Sequence, residues 1–161
     1  MYGNILVPVD GSSTSVRGLD EAIKIARKLG SRIRLLHIVN ELIFAGGDGG
    51  IYATDLMASL RDGGKSLLAQ CAAQARRQGV ETDSVMIESM GASAADHIVE
   101  QARHWPADLI VMGTHGRRGL VRFAMGSDAE SVVRIASVPV LLVRNAPPRH
   151  ESRAASVDAA A

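Results

Sequence analysis

Asp108-Leu-Ile-Val-Met112 is an apolar run that stops at Gly113-Thr-His-Gly116, and after nine intervening residues Gly126-Ser127-Asp128 leads into Ala129-Glu-Ser-Val-Val-Arg-Ile-Ala136. The order is strand, glycine turn, spacer, then glycine at a helix start. An α/β protein holds a phosphate in this way, because glycine lets backbone N–H groups approach an anion without an intervening Cβ. The first turn of the helix adds unpaired N–H donors and the positive end of a dipole.

Working outward, Asn4-Ile-Leu-Val-Pro-Val-Asp10 is almost unbroken in its apolarity, as expected of a central strand buried on both faces of a parallel sheet. Ser12 or Ser13 can cap a following helix in which Val16, Leu19, Ile23, Ala26 and Leu29 recur at three- and four-residue spacing, and Gly30 stands at its C-terminal end. Ile33-Arg-Leu-Leu-His-Ile-Val39 reads as a second strand. Positions 44–51 contain four glycines and no period, which predicts a loop or lid. From about residue 53 to 78, Leu56, Leu60, Leu67, Cys71 and Ala75 follow a helical period, with a bend or break expected at Gly63 and Gly64. Residues 80–88 make a more polar strand suited to a sheet edge. Ser93 and Asp96 form a capping-box pattern ahead of a helix to about Arg103, and Pro139-Val-Leu-Leu-Val143 reads as a fifth strand.

Strand and helix therefore alternate throughout. This predicts a single α/β domain over residues 1–145, a Rossmann-like open sheet of five parallel strands with helices on both faces, and for that fold class the order 3-2-1-4-5 is expected. Ligands bind such sheets at the carboxyl ends of the strands, where Asp10, Ile38 and Gly113 would converge. Residues 146–161 have no apolar face and are expected to be a disordered tail.

Gly113-x2-Gly116-x9-Gly126-Ser127, preceded by Asp-Leu-Ile-Val-Met, followed by Pro-Val-Leu-Leu-Val-Arg, and joined with Ile-Leu-Val-Pro-Val-Asp near the start, resembles the universal stress protein family. The likeness runs from about Asn4 to Arg144, and residues 40–89 match in pattern only. Within that family the intact glycine motif marks the ATP-binding branch, so the resemblance implies ATP. By matching positions it implies that Pro8, Val9 and Asp10 border adenine and ribose, and that Ile38 packs on the adenine. Met112 and Gly113 would line the nucleoside, and Gly116, Gly126 and Ser127 would take the phosphates. It also implies a homodimer, which suits the run Val138-Pro-Val-Leu-Leu-Val143 as a strand able to pair with its copy.

Asp128 departs from the common family pattern, in which an apolar residue follows Gly-Ser. A carboxylate there suits the helix dipole but repels a triphosphate, so two roles remain open: capping the helix, which common usage favours, or holding Mg²⁺ on the phosphates. Arg117, Arg118 and Arg122 in the spacer can reach phosphates, meet a partner subunit or stay solvated. The plain structural reading of the same glycines is strand end, turns and helix start, with no ligand.

Competing motifs are weaker. Gly64-Lys65-Ser66 ends like a P-loop, but the required first glycine is Ser59 and the preceding residues are helical, so Lys65 and Ser66 read as a solvated helix face. Histidines 37, 97, 104, 115 and 150 lack metal spacing. His37 reads as a packed or hydrogen-bonded core residue, and His115 alone lies near the proposed phosphates. Cys71, the one cysteine, sits among alanines as a buried thiol. No nucleophile–base pair is defined by spacing, so fast catalysis is not expected.

Composition bounds the rest. The chain of 161 residues carries 18 Lys and Arg against 17 Asp and Glu with no block of like charge, so neither nucleic acid nor a membrane surface is expected as partner. No apolar run approaches the roughly 20 residues of a membrane span, and the N-terminal residues do not read as a leader, which predicts a cytoplasmic protein. Three readings follow: an ATP-binding regulatory protein of the stress response, a slow ATP hydrolase or phosphotransferase, and a nucleotide-free scaffold dimer.

Overall fold

The computed structural model describes residues 2–40, 50–114 and 126–144. Five strands, β1 (Asn4–Pro8), β2 (Arg32–Asn40), β3 (Thr82–Ser89), β4 (Leu109–Gly113) and β5 (Val140–Val143), alternate with four helices, α1 (Ser13–Leu29), α2 (Gly50–Arg77), α3 (Ala94–His104) and α4 (Ser127–Ile135). All the pairings are parallel and the order is β3-β2-β1-β4-β5, as the sequence predicts.

Topology explains the two layers. The chain steps outward from β1 to β2 to β3, then crosses back to β4 and continues to β5; right-handed crossovers in opposite directions place their helices on opposite faces. Ile5, Val7, Leu35 and Val111 face a core with Leu19, Ile23, Ala26, Leu68, Cys71 and Ala75 of α1 and α2. Leu6, Leu36, Ile110 and Met112 face the second core, with Ile98, Val99 and Ala102 of α3 and Val132 of α4. The central strand is thus apolar on both sides because both sides are covered.

Caps follow the sequence closely. Ser12 caps α1 by accepting from Ser15 N–H, and Gly30 closes that helix in the left-handed region at φ 68°. Ser93 and Asp96 form a complete capping box on α3.

Three expectations require correction. First, α2 runs without interruption past Gly63 and Gly64. Gly64 lets the helix backbone lie directly on the sheet: a Cβ there would come within 2.7 Å of His37 Cδ2 and 3.1 Å of Met86 Sδ. Close packing at this point offsets the helix propensity that glycine forfeits. Second, α2 already includes Gly50 and Ile51 of the expected loop, while positions 44–49 of that loop lie outside the described residues. Third, Val16, Leu29 and Leu56 share the apolar period of their helices yet are about two-fifths exposed, because they lie at the margin of the stripe that meets the sheet. The tail beyond Arg144 lies outside the described residues.

Candidate functional site

At the carboxyl edge of the sheet β1 and β4 part. Their ladder is short, Ile5 beside Leu109 and Leu6 beside Ile110, whereas β1 stays with β2 as far as Pro8 beside Leu36 and then donates Val9 N–H to the Leu36 carbonyl at 2.8 Å. Alternate residues of a strand address alternate neighbours. With Val9 N–H turned toward β2, position 8 is the one whose nitrogen faces β4, and proline has no hydrogen to give. Pro8 therefore ends the rung to β4. The crevice opens between the two strands at which the chain order reverses.

The turn after β1 is built around Asp10. Its Oδ1 accepts from Ser12 N at 2.9 Å and from Ser12 Oγ at 2.6 Å, and Ser12 Oγ in turn accepts from Ser15 N at 3.2 Å. Ser12 Oγ also lies 3.2 Å from Thr14 Oγ1. Thr14 presses on the end of β4: a Cβ on Gly113 would stand 2.7 Å from Thr14 C and 2.8 Å from Thr14 Cβ. Gly113 is therefore required by packing, whether or not a ligand is bound. Gly18 supports the same crossing, since its Cβ would meet Gly113 N at 3.4 Å.

From Gly113 the chain continues to Thr114, which donates its N–H to Val143 O at 3.0 Å and accepts from Gly126 N at 2.8 Å. That second bond pins both ends of the intervening spacer and delivers the start of α4 to the end of β4. Gly126 is the N-cap residue, with φ −64° and ψ 146°, and no side-chain cap bond is made there. The first-turn N–H groups of α4 thus have no side-chain acceptor at the cap, and Ser127 and Asp128 are exposed beside them. Asp128 lies in the first turn of α4, where its carboxylate suits the positive end of the helix dipole, as the favoured reading has it.

The structure brings Pro8, Val9, Asp10, Gly113, Gly126, Ser127 and Asp128 to one edge. Ile38 and Met112 belong to the α3/α4 side of the sheet, Ile38 partly buried and Met112 only 6 % exposed. Met112 thus packs in the core, and its side chain lines the site less than the sequence reading implied. Gly116 and Arg117 lie outside the described residues, as do His115, Arg118, Gly119 and Arg122. Sequence reasoning missed Thr14 and Thr114. Thr14 carried no signal beyond helix propensity, whereas Thr114 stood inside the glycine turn and was passed over for its neighbours.

His37, Lys65 and Cys71 stand as the sequence predicts. His37 is buried, with Nδ1 2.7 Å from the Val9 carbonyl oxygen. Lys65 is solvated and 3.6 Å from Asp62 on the surface of α2. Cys71 is buried, which pushes its thiol pKa up. Among the described residues no group of three or more His, Cys, Asp or Glu could hold a metal ion, and no helix is long and apolar enough to cross a membrane.

The profile of the Universal stress protein family matches residues 1–144. The Universal stress protein MJ0531 of Methanocaldococcus jannaschii is 35 % identical over 147 residues, covering 89 % of this chain and 83 % of its own. Among solved structures, a protein of the same family from Burkholderia pseudomallei is 31 % identical with TM-score 0.72, over 88 % of this chain and 96 % of the other. The universal stress protein of Archaeoglobus fulgidus in complex with dAMP is 27 % identical with TM-score 0.62, over 88 % and 98 % of the two chains. The chain therefore belongs to the universal stress protein family.

Proposed function

We propose that this protein binds an adenine nucleotide, ATP with Mg²⁺, in the crevice between the carboxyl ends of β1 and β4, and that binding regulates its contacts in a cytoplasmic stress response. The observation that carries the reading is the start of α4. Its N-cap is a glycine without a side-chain acceptor, it is fastened to β4 through Gly126 N–H and Thr114 O, and it opens beside the parting of β1 and β4. Unpaired N–H donors and a positive helix end suit a phosphate chain. The related Archaeoglobus fulgidus protein, solved with dAMP, supports adenine as the base.

The residue roles proposed are those that the family resemblance implies. Pro8, Val9 and Asp10 border base and ribose, Asp10 accepting from a hydroxyl beside its bonds to Ser12. Ile38 offers an apolar shelf for the adenine, and the Met112–Gly113 backbone lines the nucleoside. Gly126 and Ser127 donate to phosphate, with Gly116 and Arg117 of the spacer completing the cradle. Asp128 meets Mg²⁺ rather than phosphate oxygen, since its own charge repels the latter. Copies pair through β5, an edge strand with Leu141 exposed beside a groove formed by Tyr2, Ile25, Leu29, Pro139 and Val140.

The scaffold reading is favoured by one observation, the packing requirement at Gly113. The test is to denature freshly purified protein, identify any released nucleotide, and titrate the apo form with Mg·ATP by calorimetry. The expected result is one nucleotide per chain, lost in Gly126→Val, a substitution whose backbone angles valine adopts without strain. Absence of both nucleotide and heat at millimolar ATP refutes the proposal; product formation during the titration would add turnover to it.

A further inference from the structure

We infer that His37 is a positioning residue for the nucleotide edge, transmitting the placement of α2 to the turn that carries Val9 and Asp10; the inference rests on the proposed nucleotide site. β1 leaves the sheet at Pro8, and the last backbone rung to β2 is Val9 N–H to Leu36 O. Past that rung, the Val9 carbonyl accepts from the His37 ring, Nδ1 to O 2.7 Å. A carbonyl oxygen only accepts, so the ring carries a proton at Nδ1. The bond is buried, His37 being 7 % exposed, where a lost donor leaves a carbonyl without compensation from water.

The other side of the ring faces α2. A Cβ on Gly64 would be 2.7 Å from His37 Cδ2 and 3.1 Å from Nε2, so the imidazole rests directly on the helix backbone. The ring is therefore clamped: helix on one side, the Val9 carbonyl on the other. A displacement of α2 at Gly64 moves the ring, and the ring moves the peptide between Val9 and Asp10. Asp10 is next in the chain, and through Ser12 it organises the cap of α1. The effect is to hold this turn in one arrangement before ligand arrives, and preorganisation of that kind appears as affinity.

The experiment measures Kd for Mg·ATP by calorimetry, melting temperature, and amide hydrogen exchange at residues 10–12 in the full chain, for wild type, His37→Leu, His37→Asn and Gly64→Ala. His37→Leu is expected to bind roughly five- to tenfold more weakly, the worth of one hydrogen bond, and to exchange faster at residues 10–12. His37→Asn, whose amide N–H can take the place of Nδ1–H, is expected to recover affinity to within about twofold. Gly64→Ala keeps the imidazole but displaces it, and is expected to weaken binding with faster exchange; should His37→Leu fail to fold, this variant carries the test.

A lower melting temperature with unchanged Kd and unchanged exchange would make His37 a purely structural residue and overturn the inference. Failure of Asn to recover what Leu loses would also overturn it. If wild type itself binds no nucleotide, the proposed function falls, while unaltered exchange at residues 10–12 in the variants would separately refute the tether.

Discussion

Adjacent glycines in one helix should respond to alanine with opposite sign. Gly63 and Gly64 both lie inside α2, and alanine at either site gains about 1 kcal/mol of helix propensity. At Gly63 nothing lies within 4 Å of the new Cβ, so that gain is retained and Gly63→Ala should stabilise by about 0.5–1 kcal/mol. At Gly64 the Cβ arrives 2.7 Å from His37 Cδ2 and 3.1 Å from both His37 Nε2 and Met86 Sδ. Carbon atoms in contact sit at about 3.5–4.0 Å, so roughly 1 Å of overlap with the ring must be relieved. Methionine can swing away, being unbranched and flexible. The imidazole cannot do so without stretching its bond to the Val9 carbonyl. Overpacking costs about 1–3 kcal/mol and a compromised buried hydrogen bond about 1 kcal/mol more. Net of propensity, Gly64→Ala should destabilise by about 1–3 kcal/mol, so the two variants should differ by roughly 1.5–4 kcal/mol. Urea unfolding followed by far-ultraviolet circular dichroism measures both, with midpoints compared at constant slope. Equal effects at the two positions would refute the claim that α2 rests on His37.

Gly113→Ala should destabilise by about 2–3 kcal/mol in the absence of nucleotide, because the atoms it meets include the Thr14 backbone, which no rotamer change can move; a variant within about 0.5 kcal/mol of wild type in urea unfolding would mean that α1 yields at this crossing. Cys71 should resist alkylation by iodoacetamide at pH 8 in the native protein and react readily in urea, since burial both shields the thiol and raises its pKa, leaving little thiolate; fast native labelling followed by mass spectrometry would contradict the packed geometry.

Much of the local structure around the candidate site was legible because its signals are local. Glycine at the end of an apolar run, glycine before a helix, and serine followed by aspartate three residues on are patterns of near neighbours, and the structure places Gly113, Gly126, Ser93 and Asp96 as those patterns require. The reading of Gly113 as a ligand contact was incomplete for a physical reason. A glycine is needed wherever a Cβ would collide, and the sequence does not say whether the colliding group is a nucleotide or Thr14. The resemblance implies Met112 at the nucleoside by matching positions alone; alternation along β4 turns its side chain into the α3/α4 core.

The sequence by itself determined the alternation of elements, the caps, the two-sided burial of β1 and the covering of both faces of the sheet by helices. These follow from periodicity and from groups within a turn of one another. Only the tertiary structure decided where β1 and β4 part, why α2 passes through two glycines unbroken, and which carbonyl His37 holds. Each depends on atoms brought together from distant parts of the chain: Leu6 beside Ile110 as the last pair of β1 and β4, Gly64 against His37, and Gly113 against Thr14. Close packing at such crossings is resolved to tenths of an ångström, a scale on which a pattern of residue types carries no information and only the assembled backbone does.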